Sequence, residues 1–253
     1  RRMHIVPDSF YYPIPNIREI EDRVWSRPSA MVGIASRIEE QRALLDELSV
    51  HFDDFAKLSD ARQFDQLDGA VLFAMLRCAK PAHVIEIGAG SSTLCMLDAL
   101  GPDASLTSID PYPPKCLAQI DDARFTLMPE RVEDVPIEFF ETLEAHDVLF
   151  IDSSHVVKTG SDVLHEVLEI LPRMKVGTLI HIHDIFLPND YPKAWLARRT
   201  FWTEQYLVQA FLAFNNAFKI LWSSSMMAMW KPDDVRRCFG TLYGGSLWLE
   251  RVS

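Results

Sequence analysis

Apolar and polar positions follow two patterns along this chain, one typical of buried strands and one typical of helices. Short apolar runs typical of buried strands recur five times, at 83–88, 105–110, 124–128, 147–152 and 177–183. Segments with helical spacing lie between them, at about 92–100, 114–120, 136–144 and 160–172. This alternation predicts an α/β fold: an open, doubly wound, mostly parallel sheet with right-handed crossovers. The functional site of such a sheet is expected along the carboxyl ends of its strands.

The chain before residue 81 has a different pattern. Apolar residues at helical spacing predict amphipathic helices within 34–57 and over 65–78, and Pro81 ends the second one. The aromatic start, Phe10 to Pro15, contains two prolines and is therefore predicted to be extended. We expect residues 1–80 to form an arm and helical cap packed on a core of residues 81–253, in one structural domain. The alternative for the arm is an aromatic wall over a substrate mouth.

The chain after residue 190 predicts one long helix and then two strands. Aromatic residues at helical spacing favour a helix over 192–214. The last two apolar runs, Phe218–Ser223 and Ser246–Val252, are typical of strands. Two strands after the last helix fit a reversed hairpin that closes the sheet.

Charge and cysteine content narrow the function classes. With 25 basic against 36 acidic residues the net charge is −11, which disfavours a nucleic-acid partner. The four cysteines lie far apart and form no Cys-x-x-Cys, so we expect reduced thiols and a cytoplasmic location rather than a zinc cluster. No apolar run approaches the roughly 18 residues of a membrane span, so no membrane partner is expected. The oligomeric state stays open, a homo-oligomer included.

The most informative stretch is Val84 to Thr93, where a β-branched run leads into a Gly-x-Gly turn and then a helical pattern. Gly88 and Gly90 allow positive φ angles and a close approach of a ligand to the backbone. The helix that follows offers free N–H groups and the positive end of its dipole. Such a turn binds a nucleoside at the carboxyl edge of an α/β sheet.

The residues around this turn indicate which nucleoside. A dinucleotide fingerprint needs a third glycine, and Thr93 stands there instead. Glu86 lies two residues before Gly88, where its carboxylate would face a pyrophosphate but would suit a charged amino group. Asp110 ends the next apolar run 24 residues after Glu86, about where an acid binds ribose hydroxyls. A cofactor with an amino group and no phosphate fits, and S-adenosylmethionine is one.

Glu86, Gly88, Gly90 and Asp110 together resemble motifs I and II of the class I S-adenosylmethionine-dependent methyltransferases. The resemblance implies a seven-stranded, Rossmann-like sheet. It also implies that Glu86 and the turn hold the methionine end, with Asp110 on the ribose. The cofactor-binding residues that it implies are Glu86, Gly88, Ala89, Gly90, Ser91, Ser92, Asp110, Pro111, Val132 and Asp152, with Glu133 as a neighbour of the adenine.

A second group of polar residues follows strands four and five. Asp152 ends the fourth apolar run and His155 follows it, while His183 ends the fifth run and Asp184 follows it. Adjacent parallel strands lie about 4.8 Å apart, so Asp152 and Asp184 are expected to share one site. Histidine suits proton transfer because its pKa lies near the operating pH. His181, which alternates with apolar neighbours, is expected to lie in the core.

This group is similar to the site of the metal-dependent O-methyltransferases of the catechol and macrolide-sugar types. That resemblance implies Asp152, Asp184 and His155 as catalytic residues, His155 being the general base, and Asp152, His183 and Asp184 as metal ligands. This chain departs from both types, because Ile185 replaces an asparagine and His183 replaces an acid. Mg²⁺ prefers oxygen ligands, so the histidine shifts the preference towards Mn²⁺ or Fe²⁺. A metal-free site with His155 as base stays open.

The full run of motifs, from the Tyr-Tyr-Pro start to Gly244–Trp248, further resembles a broad bacterial group of class I methyltransferases found with glycan or natural-product pathways. That group says little about the acceptor, and it is the resemblance of Asp152, His155 and Asp184 to an O-methyltransferase site that favours O-methylation of a small hydroxylated molecule or sugar. Trp202, Glu204 and Tyr206 are candidates for the acceptor pocket. Two alternatives stay open: a nucleotide-dependent oxidoreductase on a Rossmann sheet, and a cofactor-binding partner protein without catalysis.

Overall fold

A computed structural model describes residues 11–58 and 64–253. Its centre is a seven-stranded sheet in the order β3-β2-β1-β4-β5-β7-β6. The strands are β1 (His83–Ile87), β2 (Ser105–Ile109), β3 (Phe125–Met128), β4 (Val148–Ile151), β5 (Leu179–Ile182), β6 (Phe218–Ser223) and β7 (Leu247–Arg251). Strands β1 to β5 pair in parallel, and β7 runs antiparallel to both β5 and β6. The predicted fold class and all seven predicted strands are confirmed.

Alternation along the strands gives the sheet two buried faces. In β1, Val84 belongs to the hydrophobic cluster on one face, whereas Ile85 and Ile87 belong to the cluster on the other. The register keeps this alternation across strands, because Ile85 pairs with Leu149 of β4 and both lie on the second face. A strand that is buried on both sides has near-continuous apolar sequence, which is why the runs were easy to recognise.

Helices cover both faces. They are α1 (Arg23–Ser26), α2 (Ile38–Leu48), α3 (Phe52–Phe55), α4 (Leu67–Ala79), α5 (Ser91–Ala99), α6 (Ile137–Phe140), α7 (Asp162–His165), α8 (Lys193–Ala197), α9 (Glu204–Leu212), α10 (Ser224–Trp230) and α11 (Pro232–Phe239). A π-helical turn, Glu166–Ile170, and a 3₁₀ turn, Leu171–Arg173, continue α7. Buried residues of α2, α4, α5 and α11 lie in the first cluster, and those of α6, α7 and α9 in the second. Among the described residues, no helix is both long and apolar enough to cross a bilayer.

Three helix predictions were wrong in extent. The segment 192–214 contains two helices, α8 and α9, because the backbone leaves the helix after Ala197 and Arg199 has a φ of +61°. The predicted helices at 114–120 and 136–144 shrink to the short turn Leu117–Gln119 and to α6. Periodicity continues through these segments, so it does not reveal where a helix breaks.

The last two strands pair antiparallel, as the predicted reversed hairpin requires, but no tight turn joins them. Two helices, α10 and α11, stand between β6 and β7, and the sequence analysis did not predict them. Their signals are present: Ser223 caps α10 by accepting the Met226 N–H, Pro232 begins α11, and Gly240 ends it in a left-handed conformation.

The N-terminal arm lies against the loop that follows β5. The Trp25 indole N–H donates to the Tyr191 carbonyl at 2.9 Å, and the Ser29 N–H donates to the Pro188 carbonyl at 2.7 Å. Phe10 of the predicted aromatic start lies outside the described residues. The described part of the arm therefore packs against the segment that borders the site.

Candidate active site

A cavity of about 370 Å³ opens at the carboxyl ends of β1, β2 and β4. Its walls come from the strand ends and the loops after them: Ile87, Gly88, Ile109, Asp110, Pro111, Tyr112, Arg131, Val132, Glu133, Asp152, Ser153, Ser154, Lys158, Gly160, Ser161 and Asp162. This is the edge at which open α/β sheets bind ligands. The predicted residues Gly88, Asp110, Pro111, Val132 and Asp152 all line it.

Gly88 is required by the meeting of two strand ends. Its φ is +86°, and a Cβ built on it would lie 1.8 Å from the Asp152 carbonyl oxygen. No other residue fits, because both the backbone conformation and the space exclude a side chain. This close contact brings the end of β1 against the end of β4.

Glu86 has a different position from the one expected. It is fully buried and accepts hydrogen bonds from Ser92 Oγ at 2.6 Å, from Thr93 Oγ1 at 2.7 Å, and from Ser108 Oγ. Burial raises its pKa to about 7, although the three hydroxyls counteract this shift. Instead of facing the crevice as a ligand for an amino group, Glu86 ties β1 to the start of α5 and to β2.

Thr93 explains the missing third glycine of the turn. Its hydroxyl donates to Glu86 and accepts the Gly90 N–H at 3.1 Å. A glycine has no group for either bond. The departure from the dinucleotide fingerprint is therefore part of the network that holds the turn in place.

Asp110 connects the turn to the end of β2. One carboxylate oxygen accepts the Ala89 N–H at 3.0 Å, and the other accepts the Tyr112 N–H at 2.6 Å. Of the remaining predicted residues in the turn, Ser91 is exposed and Ser92 is buried under Glu86. The sequence analysis did not name Tyr112, Arg131 or Lys158, which also line the cavity. They lie in loops with no periodic pattern, so no signal marked them.

The ends of β4 and β5 meet in a second cluster, as predicted. His155 Nε2 lies 3.1 Å from Asp152 Oδ1 and 3.9 Å from Asp184 Oδ2. The potential ligand atoms of Asp152, His155 and Asp184 all lie within 4.8 Å of one another. His183 lies beside this group, with Nδ1 3.3 Å from Asp184 Oδ2 and 3.7 Å from Asp152 Oδ1. The potential metal group found among the described residues contains His155, whereas the sequence analysis named His183.

The carboxylates set the charge of the two histidines. Burial lowers the pKa of His155, but its hydrogen bonds to Asp152 and Glu204 outweigh this effect and raise the pKa to about 10. The pKa of His183 is also raised well above its ordinary value, because Asp184 and Asp68 outweigh burial. In this arrangement His155 is an imidazolium at neutral pH. It must lose a proton before it can act as the predicted base.

Asp68 is the main polar residue that the sequence analysis missed. It lies in the first turn of α4 and is 1% exposed. Its carboxylate accepts hydrogen bonds from the N–H groups of Gly245 and Ser246, at 2.6 and 3.2 Å, and from the hydroxyl of Ser224, at 2.6 Å. Its Oδ2 also lies 3.6 Å from His183 Nε2. A single aspartate in an apolar helix gives no sequence signal, since its partners are more than 150 residues away.

His181 lies in the core, as expected. It is fully buried, its ring stacks on Phe150 at 4.3 Å, and its Nε2 lies 2.9 Å from Ser246 Oγ. Burial, followed by the charge of His183, lowers its pKa to about 3, so it is neutral. It supports the strand without taking part in the cluster.

Aromatic side chains surround the cluster on its outer side. The Trp202 ring lies 4.1 Å from the His155 ring, and Trp195 lies 4.7 Å from Trp202 and 5.1 Å from Phe186. Tyr206 is half exposed and donates to Asp190 at 2.6 Å. The rings form an arc beside the carboxyl end of β5. Of the three residues predicted for an acceptor pocket, Glu204 is instead buried behind His155.

Comparison with known protein families matches residues 85–185 to the model of a methyltransferase domain. The match begins within β1 and ends just after Asp184, so it contains both the turn and the second cluster. The matched segment belongs to a sheet in which an antiparallel β7 lies between β5 and β6. Residues 85–185 are therefore similar to a methyltransferase domain. This similarity bears out the resemblance inferred from the motifs, which is to the class of methyltransferases that use S-adenosylmethionine as their cofactor.

The individual relatives share less than a third of their aligned residues with this chain. An uncharacterized protein of Archaeoglobus fulgidus is 29% identical over 161 residues, which cover 54% of this chain and 73% of that protein. Among solved structures, a putative methyltransferase from Thermobifida fusca is 15% identical and covers 90% of this chain and 97% of its own, with a TM-score of 0.48. The O-methyltransferase TomG from Streptomyces achromogenes is 16% identical over 83% of this chain and 89% of its own, with a TM-score of 0.46.

Proposed function

We propose that this methyltransferase transfers the methyl group of S-adenosylmethionine to a hydroxyl of a small molecule or sugar. The observation that carries the proposal is the position of Asp152. This residue lines the cofactor cavity and also contacts His155 in the second cluster. A methyl donor in the cavity and an acceptor at the cluster would therefore meet at one residue.

Three features of the cofactor cavity support the donor side. The Gly88 turn would let the backbone approach the cofactor closely, Asp110 would accept the ribose hydroxyls, and Val132 and Glu133 of the cavity wall would lie beside the adenine. Gly88 to Ser91 would accept the methionine end through backbone groups. Ser92 and Glu86 are buried beneath the turn and stabilise it through the hydrogen bond from the Ser92 hydroxyl to the Glu86 carboxylate.

The acceptor side suits a hydroxyl. A sulfonium is already an activated methyl donor, so the protein mainly has to align the acceptor and remove its proton. Asp152, Asp184 and the His155 ring provide groups for both tasks. His155 can accept the proton only after its own Nε2 proton is displaced, because the carboxylates hold it as an imidazolium.

The same residues fit a divalent cation. Asp152, His155 and Asp184 would hold it, and the second nitrogen of His155 lies against a carboxylate, as is usual for histidine ligands. The mixed nitrogen and oxygen donors suit Mn²⁺ or Fe²⁺ better than Mg²⁺. Such an ion would lower the pKa of an acceptor hydroxyl.

The test is calorimetric titration of the full chain with S-adenosylhomocysteine, followed by transfer of labelled methyl from S-adenosylmethionine to a panel of vicinal diols, single hydroxyls and amines. We expect micromolar binding of S-adenosylhomocysteine and methylation of a hydroxylated compound, with EDTA deciding the metal requirement. Absence of S-adenosylhomocysteine binding, with Mn²⁺ present or absent, would overturn the proposal. Transfer to amines alone would overturn its O-directed part.

A further inference from the structure

The loop that carries His155 is held by three consecutive residues at the start of α9. The N–H groups of Thr203 and Glu204 donate to the His155 carbonyl at 2.9 and 3.1 Å. The hydroxyl of Thr203 accepts the Val157 N–H at 2.7 Å, and the Trp202 ring packs on the imidazole. We call residues 202–204 the α9 clamp. It fixes both the backbone and the ring of His155.

The clamp is needed because His155 has an unfavourable backbone conformation. Its φ is +58°, in the left-handed region that few residues other than glycine adopt. The side chain is also buried, with 4% of its surface exposed. A strained, buried residue persists only where its surroundings hold it. The orientation of the imidazole is therefore decided by the residues of the clamp.

We propose that Glu204 is a positioning residue that accepts the Nδ1–H of His155 and so directs Nε2 towards Asp152 and Asp184. The Oε2 atom of Glu204 lies 2.7 Å from Nδ1, and Nε2 lies 3.1 Å from Asp152 on the opposite side of the ring. The relevance of this orientation to methyl transfer rests on the proposed function. The contact itself does not.

The neighbouring residue shows why Glu204 is assigned this task. Gln205 is equally buried, but it serves the backbone: its Oε1 accepts the Phe186 N–H at 3.0 Å and its Nε2 donates to the Asn189 carbonyl at 3.3 Å. Glu204 is 1% exposed, and His155 is the one side-chain partner found for its carboxylate in the described part of the chain, while Oε1 has no hydrogen-bond partner. Burial of a carboxylate with so few partners costs free energy. The burial of Glu204 is explained if its carboxylate holds the imidazole of His155.

Nuclear magnetic resonance of the ¹⁵N-histidine-labelled full chain tests this assignment. We expect a hydrogen-bonded Nδ1 proton, assigned to His155 by its loss in His155→Gln. Glu204→Ala should abolish it, and Glu204→Gln should keep it weakened because the amide oxygen can still accept. The matched control is Glu166→Gln, another fully buried glutamate, which accepts from Ser153 at 3.0 Å. This control should keep the signal.

Binding of S-adenosylhomocysteine separates the possible outcomes. Glu204 does not line the cofactor cavity, so affinity should stay within about threefold in both Glu204 variants, which also reports that these variants fold. A persistent Nδ1 signal in Glu204→Ala, or its equal loss in Glu166→Gln, would overturn the inference. If the wild type does not bind S-adenosylhomocysteine, the proposed function fails while the positioning of His155 can still stand. Once an acceptor is known, Glu204→Ala should have a lower kcat than the wild type and an unchanged KM for S-adenosylmethionine.

Discussion

The proposed cofactor side and the proposed acceptor side of the crevice are built in different ways. The cofactor side comes from neighbouring parts of the chain, Glu86–Thr93 and Asp110, and depends on backbone turns and small hydroxyls. The acceptor side joins α4, the ends of β4 and β5, the α9 clamp and the start of β7. The first is a local structure within consecutive βα units. The second exists only when distant segments come together, so the two sides should respond differently to substitution.

The strongest disruption should come from Gly88→Ala, because it affects the contact shared by both sides. The new Cβ would lie 1.8 Å from the Asp152 carbonyl at a φ of +86°, so the ends of β1 and β4 must separate. We expect a loss of about 4 kcal/mol or more in the free energy of unfolding, or no folded protein. Urea denaturation measures it.

Gly90→Ala is the matched control for this substitution. A Cβ on Gly90 meets no atom within 4 Å, and its φ of −168° is extended backbone. We expect a cost of about 1 kcal/mol or less. Equal losses in the two variants would contradict the role given to the Gly88 contact.

Asp68→Asn should separate the acceptor side from the cofactor side. An amide NH₂ would oppose one of the N–H groups of Gly245 and Ser246, which the carboxylate now accepts. We expect a loss of about 2–4 kcal/mol in the free energy of unfolding, while S-adenosylhomocysteine affinity stays within a few-fold. Asp54→Asn, at an exposed ion pair with Lys57, should have little effect. A collapse of cofactor binding in Asp68→Asn would show that the two sides are not separable.

On the cofactor side, Glu86 should make stability depend on pH. Its pKa is raised from 4.5 to about 7, so the folded chain binds the proton more tightly than the unfolded chain. The resulting stabilisation is complete below about pH 4.5 and is lost as pH rises through about 7. Relative to Glu86→Gln, the wild type should lose about 2–3 kcal/mol between pH 5 and pH 8. Urea denaturation at both pH values measures this; a constant difference would contradict the raised pKa.

The smallest expected effect is that of Asp110→Asn on cofactor affinity. The carboxylate would lose charge towards the ribose hydroxyls and weaken its bond to the Ala89 N–H. We expect S-adenosylhomocysteine to bind about tenfold more weakly, which is about 1.4 kcal/mol. Asp103→Asn, an exposed residue before β2, serves as the control in calorimetry. Unchanged affinity would remove Asp110 from the cofactor site.

The same contrast explains what could be predicted from the sequence. Buried strands and the Gly88 turn leave short-range patterns, so the strands could be predicted, and the predicted residues Gly88, Asp110 and Asp152 line the cavity. Asp152, His155, His183 and Asp184 were found because polar residues at strand ends meet at one edge. Asp68 was not found because its hydrogen-bond partners are remote in sequence. The break before α9 was missed because the amides of Thr203 and Glu204 donate to His155 instead of continuing a helix.

The place of β7 in the sheet has a consequence for how the chain assembles. This strand enters between β5 and β6, which do not pair with each other in the sheet. Until residues 247–251 arrive, β5 has an open edge that invites pairing with other chains, and Asp68 lacks its amide donors from Gly245 and Ser246. On the ribosome, β1 to β3 and the Gly88 turn emerge long before β7. The cofactor side can therefore form early, whereas completion of the acceptor side waits for the last strand to be synthesised.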